Sequence, residues 1–233
     1  SYSRDRTIWH ISHEGLELED PACAPNYDHM LVLGTTPEKA PDEAEEISIS
    51  FKEGKPVALN GKEMKLSEII TELNKLGGKH GIGIADIVEN RMVGMKSRGV
   101  YETPGGTILL AAHDQLEELI LDKETMAMKK DVGNKFADIV YSAKWFSPLR
   151  EACQAFVEST QKYVTGECKM KLYKGNIIKQ GTTSPYSIYN ESIASFTTGD
   201  LYDHHDAEGF INLYGLSTKV RAMKMAEVAK NKK

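Results

Sequence analysis

The chain lacks the features that mark secreted, membrane and nucleic-acid-binding proteins. Its 233 residues include three cysteines, Cys23, Cys153 and Cys168, and no C-x-x-C pair, which excludes a disulfide framework and a cysteine-based zinc motif. The longest apolar runs, such as TILLAA, are far shorter than the roughly 20 residues of a membrane helix. The net charge of −5 is small and the cations are scattered, which argues against nucleic acid or an anionic membrane as a partner. The composition therefore predicts a soluble, cytoplasmic protein.

Common catalytic and cofactor motifs are also missing. The sequence has no G-x-G-x-x-G, G-x-x-x-x-G-K-[ST], G-x-S-x-G or H-E-x-x-H pattern. The glycine-rich HGIG at 80–83 lacks the spacing of a phosphate loop. His204 and His205 are adjacent, so on an extended segment they would point to opposite faces rather than toward one metal. The sequence thus predicts no ATP site and no metal site in this chain.

Strand patterns and helix patterns are present, and they occur in separate runs. ISISF and VALNG predict one hairpin, KMKLY and NIIKQ predict another, and HMLVLG predicts a short strand. Apolar residues at helical spacing follow in several segments, with Gly77-Gly78 ending one helix and Ser147-Pro148 beginning another. This segregation predicts an α+β fold, with an antiparallel-rich sheet of hairpins packed by several helices and a C-terminal helical arm.

The stretch DIVENRMVGMKSRGVYETPGG, residues 86–106, concentrates acids, cations and a tyrosine between glycines. In one unbroken strand Glu89 and Tyr101 would lie about 40 Å apart at ~3.3 Å per residue, too far to serve one small ligand. A chain reversal near Gly94 or at SRG would bring them together, and an acid facing a hydroxyl among cations suits a zwitterionic amino acid. The alternative is a structural ion-pair network on a twisted strand. Residue chemistry alone leaves both interpretations open.

Several ordered segments resemble one family. DIVENRMVGMKSRGVYETPGGTILL closely resembles the signature segment of argininosuccinate synthase, and SRDRTIWHISHEGLELEDP is similar to that family's segment with the same serine spacing. KFADIVYSAKWFSPLR, SPYSIYNE, AEGFINLYGLSTKV and GKHGIG also resemble their counterparts. The family's Ser-Gly-Gly-x-Asp-type loop for ATP is absent, so the resemblance covers only the C-terminal, synthetase part.

The resemblance implies an ATP-dependent ligase that joins citrulline to aspartate through a citrullyl-adenylate, releasing pyrophosphate and AMP. By motif, it assigns citrulline contacts to Ser3, Ser12, Glu89 and Tyr101, and we regard Lys96 and Arg98 as possible supports of the site. The resemblance names no catalytic residue. It implies no cofactor bound by this chain, since ATP with Mg is a substrate of the complete enzyme.

The resemblance also implies partners and a division of the chain. Residues 1–206 would form the citrulline-binding synthetase domain, and residues 207–233 a C-terminal arm that reaches over a neighbouring subunit in a homotetramer. Partners would be citrulline, aspartate, ATP and an N-terminal ATP-binding domain, without which the chain is expected to be inactive. The alternative is a standalone, non-catalytic binding or oligomerisation module derived from the same family.

Overall fold

The computed structural model describes residues 1–194 and 203–231, and the chain forms two compact units. The first comprises Ser1–Ile188 and the second Tyr189–Lys233. The expected division between residues 206 and 207 separates a citrulline-binding domain from an assembly arm. It is a division of function, and it stays a prediction.

Two antiparallel sheets organise the first unit. The first sheet has four strands in the order β1-β2-β7-β6, and the second has five in the order β5-β4-β3-β8-β9. The strands are β1 (Ser3–Arg6), β2 (Ile11–Glu14), β3 (Glu45–Lys52), β4 (Lys55–Leu59), β5 (Lys62–Glu63), β6 (Ile84–Asn90), β7 (Lys96–Glu102), β8 (Gly166–Tyr173) and β9 (Asn176–Thr183). Every pairing is antiparallel, so the predicted hairpins β3–β4 and β8–β9 are confirmed.

Helices cover the five-stranded sheet and complete the main core. The helices of this unit are α1 (Tyr27–Met30), α2 (Leu66–Lys79), α3 (Pro104–Ile120), α4 (Lys123–Tyr141) and α5 (Pro148–Gln161). Apolar residues of α2 and α3 pack on inward residues of β3 and β8 in one buried cluster that includes Ile49, Leu73, Ile108, Leu116 and Met170. The four-stranded sheet has a separate small cluster of Leu18, Met30 and Val100. The predicted α+β fold is therefore confirmed.

Two local expectations are wrong for the same tertiary reason. HMLVLG forms no strand, since α1 ends at Met30 and the next residues are irregular. Helix α2 runs through Gly78 to Lys79 instead of ending at the glycine pair. A Cβ at Gly78 would overlap the carbonyl group of Leu33, so glycine here permits close contact between the helix and the irregular segment. The segment is thus fixed by packing that its own sequence does not encode.

The second unit is helical where it is described. It contains α6 (Glu191–Ala194), α7 (Asp206–Tyr214) and α8 (Leu216–Lys230), in agreement with the predicted C-terminal helical arm. None of the helices within residues 1–194 and 203–231 combines the length and the apolar character that crossing a membrane requires.

Candidate functional site

The hairpin of β6 and β7 carries the two residues on which the sequence argument depends. The chain reverses between Asn90 and Lys96, where the amide of Arg91 donates to the carbonyl of Met95 at 2.8 Å. Gly94 adopts a φ of 89°, a left-handed conformation that glycine reaches at little cost. The predicted reversal at Gly94 is confirmed, whereas SRG lies inside β7.

Strand register places all four predicted citrulline contacts on one face of the four-stranded sheet. Ser12 lies directly opposite Tyr101, and Ser3 lies opposite Glu14, which is two residues along β2 from Ser12. Glu89 is an even number of residues from the β6 partner of Tyr101. Paired residues, and residues two apart, share a face of a sheet. We call this surface the polar face.

A hydrogen bond joins Tyr101 on β7 to Glu89 on β6 across the hairpin. The Tyr101 hydroxyl donates to Glu89 Oε2 at 2.8 Å. The phenol reaches this position across Gly99, where a Cβ would come within 3.2–3.4 Å of the ring atoms. Burial, and next the hydrogen bond to the Glu89 carboxylate, raise the pKa of Tyr101 to about 12. The phenol therefore remains a hydrogen-bond donor at neutral pH.

The two serines supply hydroxyl groups beside this hydrogen bond. Ser12 is 7% exposed, and Ser3 on the edge strand is exposed. Within the described parts of the chain, neither hydroxyl has a hydrogen bond to another residue. Each can both donate and accept. The polar face thus offers a carboxylate, a phenol and two uncommitted hydroxyls.

Sequence reasoning missed further residues of this face, among them Glu14, Arg91 and His10. Glu14 lies two positions after Ser12 on the same strand, and its Oε1 is 3.7 Å from an Arg91 nitrogen. The His10 ring lies 6.1 Å, centroid to centroid, from the ring of Tyr101. Alternation along β2 is the signal that could have indicated Glu14.

Lys96 and Arg98 lie on the opposite, reverse face of the same sheet. Arg98 donates to both carboxylate oxygens of Asp86, at 2.8 and 2.7 Å, and to the carbonyls of Asp20 and Cys23. Its guanidinium holds the pKa of the Asp86 carboxyl below its usual value. Arg98 thereby ties the loop before α1 to β6. Its support of the site, like that of Lys96, stays a prediction.

One cluster outside the sheet has metal-ligand chemistry. Ligand atoms of His113, Asp114 and Glu117 lie within 4.8 Å of one another. The Glu117 carboxylate, however, already accepts from Lys129 Nζ at 2.9 Å and from Gln161 Nε2 at 2.6 Å. The Lys129 ammonium already balances the charge of this carboxylate, so these contacts favour a structural network between helices.

Comparison with known proteins identifies the family. The family model described as the C-terminal domain of argininosuccinate synthase matches residues 2–221. The chain belongs to the argininosuccinate synthase family. The family resemblance predicted from the sequence is thereby confirmed.

Individual argininosuccinate synthases match along nearly the whole chain. The protein of that name from Lachnoclostridium phytofermentans is 80% identical over 232 residues, covering 100% of this chain and 57% of the relative. The one from Agathobacter rectalis is 73% identical with the same coverage, and the one from Brachyspira hyodysenteriae is 59% identical over 99% of this chain and 56% of its own length. The chain therefore spans a little over half the length of these argininosuccinate synthases.

Proposed function

We propose that the chain is the citrulline-binding and assembly part of an argininosuccinate synthase, a ligase of arginine biosynthesis. Two observations support this proposal. The family model that matches is specifically that of the C-terminal domain, and the chain spans 57% of its relative from Lachnoclostridium phytofermentans. The ATP site would belong to a domain outside this chain, and the complete protein is called the full-length enzyme below.

The observation that carries the proposal is the polar face, where Glu89 and Tyr101 are joined beside Ser3 and Ser12. Glu89 would accept hydrogen bonds from the citrulline ammonium, because a carboxylate binds an ammonium through charge-assisted hydrogen bonds. Tyr101 donates to one oxygen of Glu89 and thereby fixes the orientation of the carboxylate. The two serine hydroxyls would bond the polar ends of the amino acid.

This binding would serve a two-step condensation. The ureido oxygen of citrulline attacks the α-phosphorus of ATP, which arrives with Mg, and pyrophosphate leaves. The amine of aspartate then attacks the ureido carbon, and AMP departs with the former ureido oxygen. Adenylation is needed because ureido oxygen is a poor leaving group. The contribution of this chain is positioning, since holding reactants in a productive geometry lowers the entropic barrier.

The test is Glu89→Gln in the full-length enzyme. We expect KM for citrulline to rise by about tenfold or more, since a hydrogen bond to a charged group is worth about 1.5–3 kcal/mol. KM for ATP should change by less than about twofold, because ATP would not contact this carboxylate. Steady-state kinetics with each substrate varied in turn provide the measurement.

Glu46→Gln is the matched control. It makes the same chemical change at a side chain of the other sheet that is 74% exposed. It should leave all three substrate constants unchanged. If Glu89→Gln also left the citrulline dependence unchanged, the assignment of the polar face would be wrong.

We also propose that the second unit assembles subunits into a homotetramer. Its described helices expose large apolar side chains to solvent, among them Phe210, Leu213, Tyr214, Val220 and Met223. Contiguous exposed apolar surface is uncommon on a monomer and is typical of an interface. The other partners, citrulline, aspartate, ATP and the ATP-binding domain, follow from the reaction proposed above.

A further inference from the structure

A chain of hydrogen bonds lies directly behind the polar face. Three of the four proposed citrulline contacts are each followed, at the next position of the sequence, by a residue of this hydrogen-bond chain. The members are Arg4, His13 and Glu102, which follow Ser3, Ser12 and Tyr101. Because successive side chains of a strand alternate between faces, these three project to the reverse face. We call them the reverse-face chain.

The contacts of the reverse-face chain are direct and mostly buried. Arg4 Nε donates to His13 Nδ1 at 3.0 Å, and His13 Nε2 lies 2.7 Å from Glu102 Oε2. His13 is fully buried and Glu102 is 2% exposed. These bonds require an imidazole that accepts at Nδ1 and donates at Nε2. One side chain thus joins a cation on β1 to a carboxylate on β7.

The carboxylate at the end of this chain also holds the irregular segment after α1. Glu102 Oε1 accepts from the amide of Leu33 at 2.8 Å, and Oε2 accepts from the amide of Val32 at 2.9 Å. At the other end, Arg4 donates to the carbonyl of Met30 at 3.4 Å. Three strands and one loop therefore meet through these side chains.

We propose that His13 and Glu102 are positioning residues for citrulline. Register pairs Ser12 with Tyr101. His13 lies opposite Val100 and Glu102 lies opposite Ile11, so the hydrogen bond between His13 and Glu102 crosses the Ser12–Tyr101 pair diagonally on the reverse face. Loss of that bond lets β2 and β7 shift relative to each other, which moves a serine hydroxyl away from the phenol. This inference rests on the proposed function, since it assumes that citrulline is the ligand of the polar face.

The alternative is that the buried polar residues only stabilise the fold. A structural role predicts less folded, active enzyme, with a lower kcat and an unchanged KM for citrulline. A positioning role predicts a higher KM for citrulline at unchanged KM for ATP, because misplacement by a fraction of an ångström weakens binding at one substrate site only. Substrate constants of variants therefore separate the two roles.

The experiment compares two substitutions of one residue in the full-length enzyme. His13→Leu removes both hydrogen bonds, and we expect KM for citrulline to rise about tenfold while KM for ATP stays within about twofold. His13→Gln offers an amide oxygen to Arg4 and an amide N–H to Glu102, so it should restore KM for citrulline to within about threefold of the wild-type value. Equal constants for His13→Leu and the wild type would overturn the proposal.

Leu172→Ala is the control for general destabilisation. Leu172 is fully buried in the five-stranded sheet, away from the reverse-face chain. It should lower thermal stability without changing KM for citrulline. If it raised KM for citrulline as much as His13→Leu does, destabilisation would explain the effect and the positioning role would be overturned.

Hydrogen–deuterium exchange distinguishes failure of this inference from failure of the proposed function. In His13→Leu, peptides covering 11–14 and 98–102 should exchange faster, whereas those covering 45–52 should not. If Glu89→Gln leaves KM for citrulline unchanged, the proposed function fails. The exchange rates then still test whether the reverse-face chain holds β2 against β7. If Glu89→Gln raises KM for citrulline but His13→Leu changes neither KM nor exchange, the proposed function stands and the positioning role is overturned.

Discussion

The bond from the Tyr101 hydroxyl to Glu89, 2.8 Å long, joins residues twelve positions apart across a hairpin. Its geometry depends on Gly99, since any larger side chain there would press against the phenol. At this scale the candidate site depends on three residues. Glu89 supplies a carboxylate, Tyr101 supplies a phenol that orients it, and Gly99 has no side chain to obstruct the phenol.

Tyr101→Phe should change the pH dependence of stability. The folded-state pKa of Tyr101 is about 12, above the usual value of 10.0. A raised pKa means that the phenol contributes stability fully below about pH 10, and that this contribution is lost as pH rises toward 12. We therefore expect the wild type to be more stable than Tyr101→Phe at pH 8, and the difference to shrink between pH 10 and pH 12.

Urea unfolding of both proteins at each pH measures this difference. Tyr163→Phe is the control, since Tyr163 is 50% exposed and lies outside the polar face. A gap between wild type and Tyr101→Phe that stays constant up to pH 12 would contradict the hydrogen bond described here.

Part of the geometry of the candidate site could be predicted from the sequence, and the reason is local. Asn90 to Lys96 contains the glycine that a tight reversal needs, and the spacing of Glu89 and Tyr101 requires such a reversal if they share a ligand. Alternation along a strand places Arg98 on the reverse face, opposite Tyr101, but this follows only once β7 is known to be one unbroken strand. Its reach to two carbonyls of the loop before α1 depends on tertiary structure.

At the scale of elements, the segment after α1 shows what sequence patterns cannot encode. HMLVLG has the apolar content of a strand, but the amides of Val32 and Leu33 donate to Glu102, about seventy residues later in the chain. Backbone groups that a strand would pair with another strand are satisfied by one buried carboxylate. The same segment contacts α2 at Gly78, so helix, loop and sheet meet there.

The same substitution should have opposite effects in two helices. Gly78→Ala places a Cβ against the Leu33 carbonyl, and we expect it to destabilise the protein by about 1–3 kcal/mol through overpacking. Gly133→Ala lies within α4 with open space around the new Cβ, so it should stabilise the protein by up to about 1 kcal/mol.

Thermal and denaturant unfolding of the two variants measure these effects. A Gly78→Ala variant as stable as the wild type, or more stable, would contradict the close contact between α2 and the segment after α1. Gly133→Ala also serves as the control for the intrinsic helix propensity of alanine.

At the scale of the whole molecule, the exposed apolar residues of the second unit provide the test of the proposed subunit assembly. Val220 is 56% exposed and Met223 is 65% exposed on α8. If α8 contacts a neighbouring subunit, charges at these positions would be buried without partners, at a cost of several kcal/mol. We expect the double substitution Val220→Glu and Met223→Glu to convert the proposed tetramer of the full-length enzyme to smaller species.

Light scattering after size-exclusion chromatography measures the mass. The control is Lys224→Glu, which reverses a charge on the same helix at an ammonium paired with Glu227. A double variant with unchanged mass would show that this part of α8 does not form the interface.

The most direct measurement is a crystal structure of the full-length enzyme with citrulline bound. We predict that the citrulline ammonium lies within about 3 Å of the Glu89 carboxylate, a normal hydrogen-bond distance. The hydroxyls of Ser3, Ser12 and Tyr101 should surround the same molecule. Citrulline bound instead on the reverse face, beside Arg98, or away from this sheet altogether, would contradict the central claim.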